Sequence, residues 1–442
     1  MHARQDVQQF IDQLPFSRLQ RLTLWLCFLV VTVDGFDTAA IGFIAPAIRA
    51  EWQLSASALA PLFGAGLFGL MAGALIFGPL ADRLGRKTIL LFSVLFFGLA
   101  SLAAAWSPSL PALVAWRFLT GLGLGGAMPC AITMTSEYCP SARRSTLVTL
   151  MFCGFTIGSA VGGLVSAHLL VQFGWRGVLL VGGVLPLLLV PILALWLPES
   201  LRFLVSRQAS TVRLQALLRR LAPTSVELPA LSVGESAAGT PVRALFSGRY
   251  AVGTSLLWVS FFMSLLIIYL ISSWLPTLLT HAGASMSRAS LVTSTFQIGG
   301  TLGAIVLGRF MDRAGAHRTL SLAYVLGAVC VAMSGLSGGQ LWLLVLAIFG
   351  VGVFVSGSQV GANALAAQFY PTHSRATGVS WANAAGRCGS VVGSLCGGWM
   401  MSMDLGMGLI LSMLAIPALV SALAIAVLGR RHATWARQPI ST

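Results

Sequence analysis

Apolar runs of about 20 residues recur along the whole chain, each long enough to cross ~30 Å of hydrocarbon. Backbone N–H and C=O groups find no water inside lipid, so each run must close its own hydrogen bonds as a helix. Twelve spans are read, with limits near 22–46, 58–80, 88–106, 111–136, 145–170, 177–197, 251–276, 288–310, 318–337, 341–367, 376–402 and 407–429. Short connections such as Ser107-Pro108-Ser109 and Ser337-Gly338-Gly339 hold turn formers. Composition points the same way. Only 9% of residues are charged, against roughly 25% in a soluble domain, and 48 glycines suit close packing of membrane helices. The expected fold is an all-α membrane protein of twelve transmembrane helices.

Arginine placement sets the topology. Arg4, Arg18 and Arg21 precede span 1, and Arg83, Arg86 and Lys87 lie between spans 2 and 3. Arg143 and Arg144 join spans 4 and 5, and Arg309, Arg313 and Arg318 join spans 8 and 9. Arg375 opens span 11, and Arg430, Arg431 and Arg437 follow span 12. The alternate loops carry only Arg49, Arg176 and Arg288. By the positive-inside rule both termini are expected to be cytoplasmic. The net charge of +15 is thus read as a topology signal, with a nucleic-acid surface as the weaker alternative. Lys87 is the only lysine among the 27 basic residues. The seven cysteines, Cys27, Cys153 and Cys388 among them, fall mostly inside apolar runs and read as small packing residues. The polar N-terminal stretch lacks the apolar core and cleavage site of a signal peptide. Six scattered histidines offer no metal-ligand or nucleophile–base spacing, and no GxxxxGK[ST] run exists for an ATP-driven pump. An enzyme is therefore disfavoured, and neither metal nor organic cofactor is expected.

The chain also repeats itself. GPLADRLGRK at 78–87 returns in degenerate form as GRFMDRAGAH at 308–317. Pro46 closing span 1 matches Pro276 closing span 7, Pro140 matches Pro371, and Arg144 matches Arg375. Six spans were duplicated, giving two pseudo-symmetric halves at 1–197 and 251–442, with a solute site expected between them near the midplane. The intervening segment 198–250 is polar and Arg-rich, and TVRLQALLRRLAP within it reads as a short amphipathic helix on the cytoplasmic face.

The twelve spans, the duplication and the 2–3 loop resemble the major facilitator superfamily over nearly the whole chain. DGFDTAAIGFIAP in span 1, RFLTGLGLGGAMP in span 4, PESLRFLV after span 6 and RATGVSWANAAGRCG in span 11 resemble its aromatic acid:proton symporter family. That resemblance implies proton-driven import of an aromatic carboxylate of the hydroxybenzoate or protocatechuate type across a bacterial inner membrane, with the proton as coupling ion. A monomer is expected, although the sequence does not fix the oligomeric state. Spacing and composition alone give only a solute transporter. Two other readings stand beside it: an exporter of a drug or metabolite, and a membrane sensor of aromatic acids that transports nothing. Span 5, GFTIGSAVGG, is similar to the drug antiporter pattern but lacks its proline before the final glycines, which disfavours export.

Several polar residues inside the spans carry the candidate chemistry. Asp34 and Asp37 lie one turn apart in span 1, Asp34 about 18 Å along the helix and so near the midplane. Carboxylates there must be paired, hydrated or protonated, so the pair is the candidate proton carrier, with a structural pair as the alternative. Arg117 in span 4 sits in an RxxxGxG context that resembles the superfamily pattern linked to proton coupling; snorkelling to the outer surface is the competing role. Arg387, midway through span 11, offers a planar fork for a carboxylate, with Asn383 one turn earlier. A permanent partner for a span 1 aspartate is the other role open to Arg387. Gln359 and Asn363 share a face of span 10 and suit either a ring hydroxyl or helix-to-helix bonding. Tyr269 and Trp381 are candidates to stack on an aromatic ring. The gating set is Gly78, Asp82, Arg83, Gly85 and Arg86 in the 2–3 loop, Glu137 and Arg144 around the 4–5 loop, Asp312 and Arg313 in the second loop copy, and Arg375. Glu137 has either Arg83 or Arg86 as partner, or is a solvated helix-end acid. Gln297, Trp258 and Trp274 complete the intramembrane polar and aromatic residues of interest.

Overall fold

The structure is a computed structural model that describes residues 5–207, 211–221, 231–232, 245–246, 250–338, 340–370, 374–403 and 405–435. Eleven of the described helices are long and apolar enough to cross a membrane. They are Arg18–Glu51, Ser57–Leu84, Arg86–Ala104, Leu110–Tyr138, Thr146–Gln172, Gly174–Trp196, Tyr250–His281, Met286–Ala314, Ala316–Gly335, Leu341–Phe369 and Met407–Arg431, and they form spans 1–10 and 12. Span 11 is Arg375–Ser402, a helix of 28 residues whose apolar character is diluted by Asn383, Arg387 and many Gly and Ser. Large apolar side chains stand bare on the outside, such as Leu75, Val171 and Leu336, each more than three-quarters exposed. A soluble protein does not leave its surface so apolar, whereas hydrocarbon covers it without cost.

Spans 1 and 7 run on past Pro46 and Pro276 instead of ending at them. Membrane helices tolerate proline because neighbouring groups take up the freed carbonyl. Span 10 contains one π turn, Gly352–Ser356, between α-helical segments Leu341–Val351 and Gly357–Phe369. The junctions after spans 2 and 8 turn on Gly85 at φ 103° and Gly315 at φ 87°. Only glycine adopts that conformation without strain, so the two copies of the loop motif share one backbone device.

The chain groups into two compact units. The first comprises Met1–Thr38, Ala65–Ser159 and Arg176–Ser236; the second comprises Ala39–Gly64, Ala160–Trp175 and Ala237–Thr442. Beyond its spans the first unit carries extra structure. A short helix, Val7–Gln13, buries Val7, Phe10 and Ile11 in the same cluster as Leu217, Leu218 and Leu221 of helix Thr211–Leu221. Strands Gln5–Asp6 and Leu231–Ser232 pair in parallel beside them. The amphipathic helix read from the sequence therefore spends its leucine face on protein, leaving Arg219 and Arg220 exposed. In the second unit, the parts of spans 1, 2 and 5 that belong to it pack on spans 7, 8 and 11. Phe63 meets Trp274 edge-on at 4.8 Å, and the Trp274 indole N–H donates to the Ser394 carbonyl at 2.7 Å.

Candidate functional site

In the first unit, span 1 delivers two carboxylates into the helix bundle because it approaches span 5 closely. A Cβ on Gly35 would collide with the Phe155 carbonyl oxygen, and the Ser159 hydroxyl donates to the Gly35 carbonyl at 2.9 Å. Asp34 and Asp37 flank this contact, and both are fully buried. The Thr38 hydroxyl donates to Asp34 at 3.1 Å. Asp37 takes more. Arg117 Nη1 donates to its two carboxylate oxygens at 3.2 and 3.0 Å, Arg117 Nη2 to its backbone carbonyl at 3.3 Å, and the Ser101 hydroxyl to Oδ1 at 2.8 Å. Arg117 is itself buried and reaches inward to Asp37. Span 6 approaches through Gly182, where a Cβ would lie 3.6 Å from Asp37 Oδ1. Such a pair loses much hydration energy, and only good geometry and further hydrogen bonds offset the loss.

The second unit holds a polar strip across spans 7, 10 and 11. Arg387 Nη1 donates to the Tyr269 hydroxyl at 3.1 Å. One turn nearer the start of span 11, Asn383 Nδ2 donates to Asn363 Oδ1 and to the Val379 carbonyl, both at 3.0 Å. Asn363 Nδ2 in turn donates to the Gln359 carbonyl at 3.1 Å. Gln359 is buried, and its side-chain oxygen accepts nothing among the described residues. The strip rests on close contact between spans 7 and 11, where a Cβ on Gly389 would collide with the Phe262 carbonyl oxygen. Gln297 bonds Ser272 at 3.3 Å in the same unit. Trp381 lies elsewhere. It is 44% exposed, stacks on Trp258 at 5.9 Å and shares its helix face with exposed Cys388 and Trp399.

At the joined ends of spans 2, 3, 4 and 6 in the first unit, charged groups converge on the 2–3 loop. Arg86 pairs with Asp82 at 2.8 Å and lies 3.9 Å from Glu137. Glu137 is buried and accepts from the Ser200 hydroxyl. Glu199 accepts from the Lys87 and Ser200 N–H groups at 3.0 and 2.8 Å, while its carbonyl accepts from Tyr138 at 2.6 Å. Lys87 Nζ donates to the Ala194 carbonyl at 2.7 Å. A Cβ on Gly85 would strike the Glu199 carboxylate. Gly78 has open space around it. Arg83 is exposed, and its carbonyl accepts from Arg207 at 3.1 Å. Asp312 and Arg313, in the second copy, are exposed. Arg144 opens span 5 beside Asp12 of the N-terminal helix. Arg375 begins span 11, and its side chain lies outside the described residues. Glu199, Ser200, Ser101 and Gly182 were not singled out as site residues from sequence. The segment PESLRFLV carried the signal for the first two, since an acid and a helix cap directly follow an apolar run.

A family model described as Major Facilitator Superfamily matches residues 27–286 and 257–441. The chain is 46% identical over 439 residues to a gallate transporter of Pseudomonas putida, covering 99% of this chain and 97% of that protein. It is 45% identical to a 4-hydroxybenzoate transporter of the same organism, covering 96% of each. A 3-(3-hydroxy-phenyl)propionate transporter of Escherichia coli is 38% identical over 94% of this chain and 95% of that protein. Among solved structures, a D-xylose-proton symporter matches with a TM-score of 0.68 at 18% identity, covering 92% of this chain and 97% of that one, a likeness of fold alone.

Proposed function

The chain belongs to the major facilitator superfamily, as a multi-pass membrane transporter and not an enzyme, and from that premise we propose that it imports an aromatic carboxylate together with protons across the bacterial cytoplasmic membrane. Relatives similar over their whole length carry aromatic acids by name, which supports the substrate class. The observation that carries the reading is Arg387, a guanidinium midway through a membrane helix and bonded to a tyrosine hydroxyl. A carboxylate entering hydrocarbon needs such a cation, because a lone buried anion is too costly. The Asp37–Arg117 pair supplies a proton-dependent element: a proton arriving at Asp37 neutralises it and loosens Arg117, and its loss to the cytoplasm restores the pair. Alternating access then carries solute and proton in the same direction.

The test is uptake of radiolabelled 4-hydroxybenzoate into proteoliposomes under an imposed pH gradient. Acid outside should drive accumulation of the parent protein's substrate, about tenfold per pH unit for one proton. Arg387→Lys keeps the charge but loses the planar fork and should cut uptake severely while the protein still inserts. Accumulation driven by the opposite gradient would indicate export, and binding without uptake would indicate a sensor.

A further inference from the structure

The polar strip of the second unit has a donor end and an acceptor end. Arg387 carries only donors. Tyr269 accepts from it through its oxygen, so the tyrosine proton is left to donate alongside the guanidinium. One helical turn away, Asn383 has the opposite character, and the orientation of its amide and of the Asn363 amide is fixed by groups that can only accept. Asn383 bonds the Val379 carbonyl, so the atom making that bond must be its nitrogen. Asn363 likewise bonds the Gln359 carbonyl through its nitrogen, leaving its oxygen toward Asn383. Asn383 has then donated both of its N–H groups, and its one remaining function is a carbonyl oxygen. The Gln359 side-chain oxygen, one turn from Asn363 on span 10, is a second buried acceptor without a partner among the described residues.

We infer that Arg387 and Asn383 form a two-point ruler for an aromatic ring that bears a carboxylate at one end and a hydrogen-bond donor opposite it. Four helical residues advance about 6 Å, close to the reach from a ring carboxylate to a para hydroxyl. The carboxylate lies on Arg387 and Tyr269, and the hydroxyl donates to Asn383 Oδ1. A ring without a donor would leave that oxygen desolvated and unbonded, which is where discrimination arises. This inference rests on the proposed transport of aromatic acids and adds the ring position and the residue that reads it.

Equilibrium binding to the purified full-length chain tests it, with benzoate, 2-, 3- and 4-hydroxybenzoate and 4-methoxybenzoate as ligands. The parent should bind 4-hydroxybenzoate at least about tenfold more tightly than benzoate or the methoxy compound, which has the size but no donor. In Asn383→Leu the ratio of 4-hydroxybenzoate to benzoate affinity should fall to near one. A parent that binds the methoxy compound as tightly as the hydroxy one overturns the ruler without any variant. So does an Asn383→Leu protein that keeps the parent's ratio. A parent that binds none of the benzoates overturns the proposed substrate class as well, so the two failures are separable.

Discussion

Asp37 divides its carboxylate between a guanidinium and a hydroxyl, and the two can be removed separately. Arg117→Ala would strand a charged carboxylate in the bundle, a loss of about 3–5 kcal/mol. Asp37→Asn removes that charge while keeping an acceptor for Ser101. The double variant should therefore be more stable than Arg117→Ala alone, a coupling that thermal unfolding of the four proteins in detergent would read. Additive losses would mean that the two side chains do not stabilise one another. In transport, Asp37→Asn should keep exchange of labelled for unlabelled substrate while losing accumulation against a gradient. The rarity of acids inside spans made Asp34 and Asp37 visible in the sequence. It could not pair Asp37 with Arg117, because helix depth counted along one span says nothing about which neighbour a long side chain reaches.

At the scale of elements, the N-terminal helix Val7–Gln13 has its own chemistry. Burial would push the Asp12 carboxyl up, but the Ser141 N–H, the Gln8 amide and the Arg144 charge together outweigh it and hold Asp12 below the usual carboxylate range. Asp12 Oδ1 accepts from the Ser141 N–H at 2.7 Å, which ties the helix to the 4–5 loop. A depressed carboxylate contributes stability that is present above its unfolded value and is lost as pH falls through its folded value. Limited proteolysis of the N-terminal segment should thus accelerate as the medium is acidified below the usual carboxylate range. Asp12→Asn should be cut faster at neutral pH and show a flatter profile. The apolar runs located the spans to within a few residues, since hydrocarbon thickness sets their length. It did not foresee the docking of this helix, whose Val7, Phe10 and Ile11 are too few to stand out in a polar stretch. The position of Glu199 after an apolar run was visible in the sequence, but its partners were not, since Lys87 and Tyr138 are brought to it only in space.

For the whole molecule, the bilayer is the remaining partner. Trp106, Trp196, Trp342 and Trp399 are all exposed and stand at or near the ends of their helices, as side chains at the headgroup level do. The arginine asymmetry predicts that both termini face the cytoplasm. Fluorescent-protein and alkaline-phosphatase fusions at the C-terminus, and at loops carrying Arg49 or Arg176, would check this. Fluorescence is expected only from the terminus and phosphatase activity only from the loops. A reversed pattern would invert the assignment of every gate residue as well as the direction of transport. The repeat was legible because its loops keep their motifs, and the candidate residues already fell unevenly across it, Asp34, Asp37 and Arg117 in the first half and Asn383 and Arg387 in the second.

The π turn at Gly352–Ser356 bears on descent. Such a turn holds one residue more than the α-helix on either side of it. Loss of a single codon there would leave a regular helix, with Gln359 and Asn363 still on the face they now share. A codon lost or gained elsewhere in span 10 would instead rotate one part of the helix against the other by about 100°. Val360 and Ala364 could then take the places of the two amides, exchanging a polar face for an apolar one. Differences in length among descendants of this gene should therefore gather at the π turn wherever the amide face is kept. Where they fall outside it, the lineage should have changed the rings it accepts.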